Sequence, residues 1–129
     1  MDEQNLVDRI AEAEKNSGSY PEAAAKLSKL GIQSYTVEVS SGIALYRFKN
    51  GKIAVRASAL KSRKVEGVFQ KEKFIQTLRD HQAGTIDFSD WIGLAAESGV
   101  RFYEATLTGE NRKVTYIGIG GLYAERIAE

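Results

Sequence analysis

Sliding residues 19–39 of this chain forward by 68 places lays like upon like. Ser19 falls on Asp87, Tyr20 on Phe88 and Glu22 on Asp90. Gly31 falls on Gly99, Ile32 on Val100, Tyr35 on Tyr103 and Val39 on Leu107. With two extra residues allowed in the second copy's hairpin, Tyr46 meets Tyr116, Gly51 meets Gly121 and Ala57 meets Ile127. The matched positions are the ones a fold constrains: caps, glycines and strand aromatics. An internal repeat limits the architecture more than any other sequence feature, because each copy must be one supersecondary unit.

Each copy reads helix, helix, strand, strand, strand. Leu6, Val7, Ile10 and Ala13 recur at helical spacing, and Phe74, Ile75 and Leu78 form the counterpart, ending near Gly84. Ser19-Tyr20-Pro21-Glu22 has the form of a capping box, with Pro21 in the first turn where its missing N–H removes no helical bond. Asp87-Phe88-Ser89-Asp90 is a weaker version. Ala23, Ala24, Leu27 and Leu30 make one apolar face; Trp91, Ile92, Ala95 and Ala96 make the other. Gly31 and Gly99 are expected to stop these helices as C-cap residues. The period then changes to two. Tyr35, Val37 and Val39 alternate with polar residues, as do Tyr103, Ala105 and Leu107, which predicts half-buried strands. Return strands are expected at 43–48 and 112–117, and short third strands near 52–57 and 122–127. The strand Ile43 to Phe48 is apolar on both faces, so it is either covered twice or part of a contact surface.

The expected fold is therefore α+β: a two-layer α/β sandwich built from two tandem α-α-β-β-β repeats, with helices on a mainly antiparallel sheet. At 129 residues the chain reads as a single domain, with repeat one over about 1–57, a connector over about 58–69 and repeat two over about 70–129. The acidic, polar N-terminus Met1-Asp2-Glu3-Gln4-Asn5 lacks a basic and an apolar region, so no secretory signal is read there. No apolar run is long enough to span a bilayer, and a cytoplasmic location is the default.

The order of these residues resembles the YdfO-like family of enterobacterial and prophage genomes, uncharacterised bacterial proteins sometimes labelled phage envelope protein. The resemblance rests on Gly31-Ile32-Gln33-Ser34-Tyr35 with Tyr46 and Gly51 in the first half. In the second half it rests on Gly99-Val100-Arg101-Phe102-Tyr103, Val114-Thr115-Tyr116, Tyr123-Ala124-Glu125 and the stretch Gln82 to Phe88. The first copy departs from the pattern, with Leu45 where the second has Thr115 and Val55 where it has Glu125. The resemblance implies a two-layer α+β fold and carries over no catalytic residue or ligand.

The chemistry open to the chain is narrow. With no cysteine there is no thiol nucleophile or zinc–cysteine site, and with one histidine, His81, no His–His metal site within one chain. No Gly-x-Ser-x-Gly elbow is present. No catalytic residue, metal or cofactor is expected, and an enzyme is disfavoured. Glu38, Glu104 and Glu125 are carboxylates that strands could gather, though solvated and ion-paired roles are favoured. Gly118-Ile119-Gly120-Gly121 reads as a hairpin bend, since no helix follows as a phosphate loop requires. Residues 47–79 hold 10 basic and 2 acidic side chains, with Tyr46, Phe48 and Phe69 among them as stacking rings. The net charge of +1 and the lack of any nucleic-acid-binding signature disfavour a nucleic-acid partner.

Three functions are left. The first is a non-enzymatic binding or interaction module, either a homodimer or docked to a protein partner. The second is a small-ligand binder or weak enzyme with a pocket between the repeats, lined by Tyr46, Tyr116 and Glu125. The third is nucleic-acid binding through residues 47–79. No membrane role is expected.

Overall fold

The helix starts follow from their caps. In the computed structural model, which describes residues 3–15, 19–57 and 61–127, Ser19 holds extended backbone and its Oγ accepts from the Glu22 N–H at 3.3 Å. Asp87 does the same for the Asp90 N–H at 2.9 Å. Met1-Asp2, read above for a signal, and residues 58–60 of the connector lie outside the described residues. The first half comprises α1 (Glu3–Lys15), α2 (Tyr20–Lys29), β1 (Ile32–Glu38), β2 (Ala44–Phe48) and β3 (Ile53–Arg56). The second comprises α3 (Lys71–Gln82), α4 (Phe88–Glu97), β4 (Val100–Thr106), β5 (Lys113–Gly118) and β6 (Gly121–Arg126). Leu30 and Ser98 are the C-caps of α2 and α4, and the glycines expected there stand one place later. Gly31 (φ 96°) and Gly99 (φ 88°) turn the chain from helix into strand in the left-handed region.

The six strands form one antiparallel sheet in the order β3-β2-β1-β4-β5-β6. The halves meet at β1 and β4. Their register carries the 68-residue shift in it. Ser34 pairs with Thr106 and Glu38 with Phe102; Tyr35 pairs with Ala105 and Val37 with Tyr103. The shift exchanges the members of each set and maps Thr36–Glu104 onto itself. An approximate two-fold axis therefore runs through that pair. The inner hairpins agree as well. Tyr35–Tyr46 corresponds to Tyr103–Tyr116, and Val37–Ala44 to Ala105–Val114.

The third strands correct the sequence alignment. Ala44 pairs with Arg56, but its counterpart Val114 pairs with Glu125. Glu125 therefore answers to Arg56, not Val55, and Tyr123 answers to Ala54. The expected matches of Gly51 with Gly121 and of Ala57 with Ile127 are each off by one. Hairpin length is the cause. Three residues lie between Phe48 and Lys52, which bond through the Phe48 N–H, whereas two lie between paired Gly118 and Gly121. One residue fewer reverses which face each side chain takes.

The helices pack on one face of the sheet. Tyr35, Val37, Tyr46 and Phe48 of the first half and Tyr103, Ala105, Val114 and Tyr116 of the second are buried there, with Ile10, Leu27, Phe74, Leu78, Trp91 and Ile92. β2, apolar on both faces in sequence, lies one strand from the edge. Ala44, Tyr46 and Phe48 face the helices, and Leu45 is half-buried on the other side. Among the described residues no helix is long and apolar enough to cross a membrane.

The connector wraps one end of the sheet. Arg63 donates its N–H to Ser40 O and its guanidinium to Val39 O, and Glu66 N–H reaches Ala96 O. Phe69 N–H then bonds Ile119 O at 3.0 Å and Gln70 N–H bonds Ser98 O at 2.8 Å.

Candidate functional site

All six tyrosines of the chain lie between helices and sheet or at the rim of that layer. The Tyr35 and Tyr46 rings stand 5.3 Å apart, and Tyr103 and Tyr116 repeat the contact at 5.5 Å. The Tyr20 hydroxyl turns inward to meet that of Tyr35 at 2.5 Å, although its ring edge is exposed. Burial pushes the phenols of Tyr35, Tyr103 and Tyr116 far above their usual range and that of Tyr20 to about 12. The Tyr46 phenol is raised by burial and then by the Glu14 carboxylate, to which it donates at 2.9 Å.

Each half ties its first helix to its edge strand with a charge pair, and the polarity is reversed between halves. In the first, Arg56 on β3 bonds Glu14 on α1 at 2.6 Å. In the second, Glu125 on β6 takes hydrogen bonds from Arg79 and Gln82 on α3 and from Tyr123, with Arg79 at 2.7 Å. Burial raises the Glu125 carboxyl, but the bonds from Tyr123, Gln82 and Arg79 outweigh it and hold the group below the usual range. Glu14 and Gln82 stand 68 places apart, so the repeat shift could have found both.

The three residues expected to line a pocket thus take separate positions. Tyr46 is 2% exposed and belongs to the Glu14–Arg56 cluster. Tyr116 is 7% exposed and packs on Phe74, Trp91, Tyr103 and Tyr123. Glu125 reaches Tyr116 only through Tyr123, whose ring stacks on Tyr116 and whose hydroxyl donates to Glu125 at 2.7 Å. Two polar groups in this interior have no hydrogen-bond partner among the described residues. They are the Trp91 Nε1–H and the Tyr116 hydroxyl.

The remaining candidates are placed as follows. His81 sits in the last turn of α3, with Nδ1 3.0 Å from Ile86 O and its ring stacked on Trp91. Glu38 and Glu104 stand exposed on the side of the sheet away from the helices. Ser40 and Ser41 hydrogen bonds hold the Glu38 carboxyl below its usual range. Of the basic run, Arg47 bonds Ser34 and Thr36, Arg56 is paired, and Arg63 serves the backbone. Phe48 is buried and Phe69 packs over Gly118 and Gly121, so neither ring is free to stack on a base.

Two open cavities exist elsewhere. One, about 270 Å³, is lined by Leu6, Arg9, Lys29, Leu30, Phe48, Asn50 and Lys52. The other, about 330 Å³, lies where the connector meets the outer sheet face, against Thr36, Glu38, Ser40, Val65, Arg101 and Phe102. That outer face carries no helix among the described residues. Ile53 (57% exposed), Val55 (46%) and Leu122 (58%) stand on it, beside half-buried Leu45, Phe102 and Ile117.

The model of a family described as a protein of unknown function (DUF1398) matches residues 8–125. Comparison with curated proteins finds no match.

Proposed function

We propose that this chain, which belongs to the DUF1398 family of proteins of unknown function, is a non-enzymatic interaction module that pairs with a second copy of itself through the outer face of its sheet. One observation carries the reading: apolar side chains stand exposed at both edges of a face that no described helix covers. Large apolar residues gathered on one exposed face mark a contact surface. The charges on that face favour a second copy as the occupant. Glu38 and Glu104 share it with Arg47, Lys113 and Arg126, so one surface offers both signs, as a self-complementary contact requires. The sequence adds its lack of cysteine and of a serine elbow. Within the family we place the chain with the YdfO-like proteins of prophage genomes, as a single cytoplasmic domain of two repeats over about 1–57 and 70–129.

Sedimentation velocity over a concentration series tests this. A dimer is expected for the parent chain and a monomer for the Val55→Glu, Leu122→Glu double variant. A parent that stays monomeric at the highest concentration removes the reading.

A second reading, a small-ligand site between the repeats near Tyr116 and Glu125, is favoured by the unpartnered Trp91 Nε1–H and Tyr116 hydroxyl. A metabolite thermal-shift screen addresses it, since a ligand at 100 times its Kd adds about 2.7 kcal/mol. No shift across a broad library would count against it.

A further inference from the structure

In the second half, the seat below α3 and α4 is filled by the chain itself. The Phe69 ring lies 6.0 Å from Phe74 and directly over Gly118 and Gly121, where an added Cβ would come within 2.7 and 3.1 Å of it. Its backbone and that of Gln70 donate to Ile119 O and Ser98 O.

The approximate two-fold carries this seat onto the cavity of about 270 Å³ in the first half. Leu6 stands for Phe74, Leu30 for Ser98, Phe48 for Gly118 and Lys52 for Gly121, and all four line the cavity. The Phe48 ring takes up part of the room that Phe69 fills in the other half. The carbonyls matching Ser98 O and Ile119 O are Leu30 O and Lys49 O. Neither receives a backbone donor from the described residues.

The charge differs where the filling differs. Arg9, Lys29 and Lys52 rim the first-half cavity, and their counterparts are Thr77, Glu97 and Gly121. None of the three cations forms a salt bridge within the described residues. Asn50 Oδ1 accepts from Lys52 N–H at 3.0 Å, which leaves its Nδ2 donors to a ligand.

We infer that this cavity is a docking site for an acidic, extended peptide segment of a partner protein. Its backbone N–H groups reach Leu30 O and Lys49 O as Phe69 and Gln70 reach their acceptors, and its carboxylates meet Arg9, Lys29 and Lys52. The site is separate from the outer sheet face.

Fluorescence polarisation with a labelled hexapeptide alternating glutamate and valine tests the assignment, with a glutamine–valine peptide as control. The acidic peptide is expected to bind and the control not to. The triple variant Arg9→Gln, Lys29→Gln, Lys52→Gln is expected to weaken binding about tenfold, the sum of three exposed charge contacts. All three residues are exposed, so the variant should fold, which circular dichroism checks. A charge-matched variant at exposed Lys61, Lys64 and Lys73 should change binding less than about twofold, because screened charges at a distance contribute little. Equal loss in both triple variants, equal affinity for both peptides, or no binding overturns the site. Tighter binding of a thymidine oligonucleotide, or displacement by inorganic phosphate alone, overturns the peptide in favour of a phosphate ligand. The first triple variant should sediment like the parent chain, which separates this site from dimerisation through the sheet.

Discussion

Gly31 and Gly99 perform one backbone task in unequal surroundings. Both hold positive φ, where a Cβ crowds the following carbonyl. At Gly31 an added Cβ would meet Phe48 Cδ1 at 3.8 Å, ordinary contact. At Gly99 it would run into the Val68 carbonyl and stand 2.8 Å from Phe69 Cα. Gly31→Ala should therefore cost about 1 kcal/mol, the conformational penalty alone. Gly99→Ala should cost more than about 2 kcal/mol, because the connector must also move. Urea unfolding of the two variants measures the difference, and equal losses would contradict the packing described for residues 68–69. The sequence marks the two glycines as equals. Nothing in it shows that the ring filling the second-half seat comes from the connector, since Phe69 lies outside both matched segments.

At the scale of elements, caps and charge pairs decide how firmly each helix is held. The Asp87 cap bond is shorter than that of Ser19, 2.9 against 3.3 Å, and its acceptor is charged. Asp87→Ala should thus lower the melting temperature more than Ser19→Ala. Acid should loosen the same elements. The Glu125 carboxyl on β6, the Asp87 carboxyl capping α4 and the Glu38 carboxyl at the end of β1 all lie below their usual values. The unfolded chain then binds protons before the folded one does, so stability is complete above the ordinary carboxylate range and is lost as pH falls through it. Unfolding free energies measured from neutrality downward should fall as pH passes 4.5, the ordinary value for glutamate. Glu125→Gln should flatten that fall. An unchanged slope in the variant would mean that the α3–β6 strap contributes nothing.

The order of elements, both caps and the alternating strands β1 and β4 are legible because local chemistry sets them. The β3 and β6 register was not, because it depends on a loop length that a gapped alignment leaves free. That one-place error matters. It set Val55 opposite Glu125 and hid the reversed charge pairs, Arg56 with Glu14 and Glu125 with Arg79. Side chains distant in sequence, such as Glu14 and Arg56, meet only once the sheet order is known.

For the whole molecule, the approximate two-fold gathers the tyrosines of both halves into one interior, and this has a measurable consequence. All six phenols lie above the ordinary value of 10. Burial is the main cause for five of them. For Tyr123 it is the hydrogen bond to Glu125. A folded chain keeps phenolic protons that the unfolded chain releases near pH 10, so these groups stabilise the fold fully below that pH. Their contribution disappears as pH rises toward the Tyr20 value of about 12. Since Tyr35, Tyr46, Tyr103 and Tyr116 join the two halves' cores, ionising any one of them inside would place an uncompensated charge in apolar surroundings. The chain should unfold instead. Alkaline titration should show no phenolate absorbance at pH 10, then all of it in a single step that coincides with loss of far-ultraviolet circular dichroism. Several phenolates appearing gradually near pH 10 with secondary structure intact would mean that the interior between the halves is open to water.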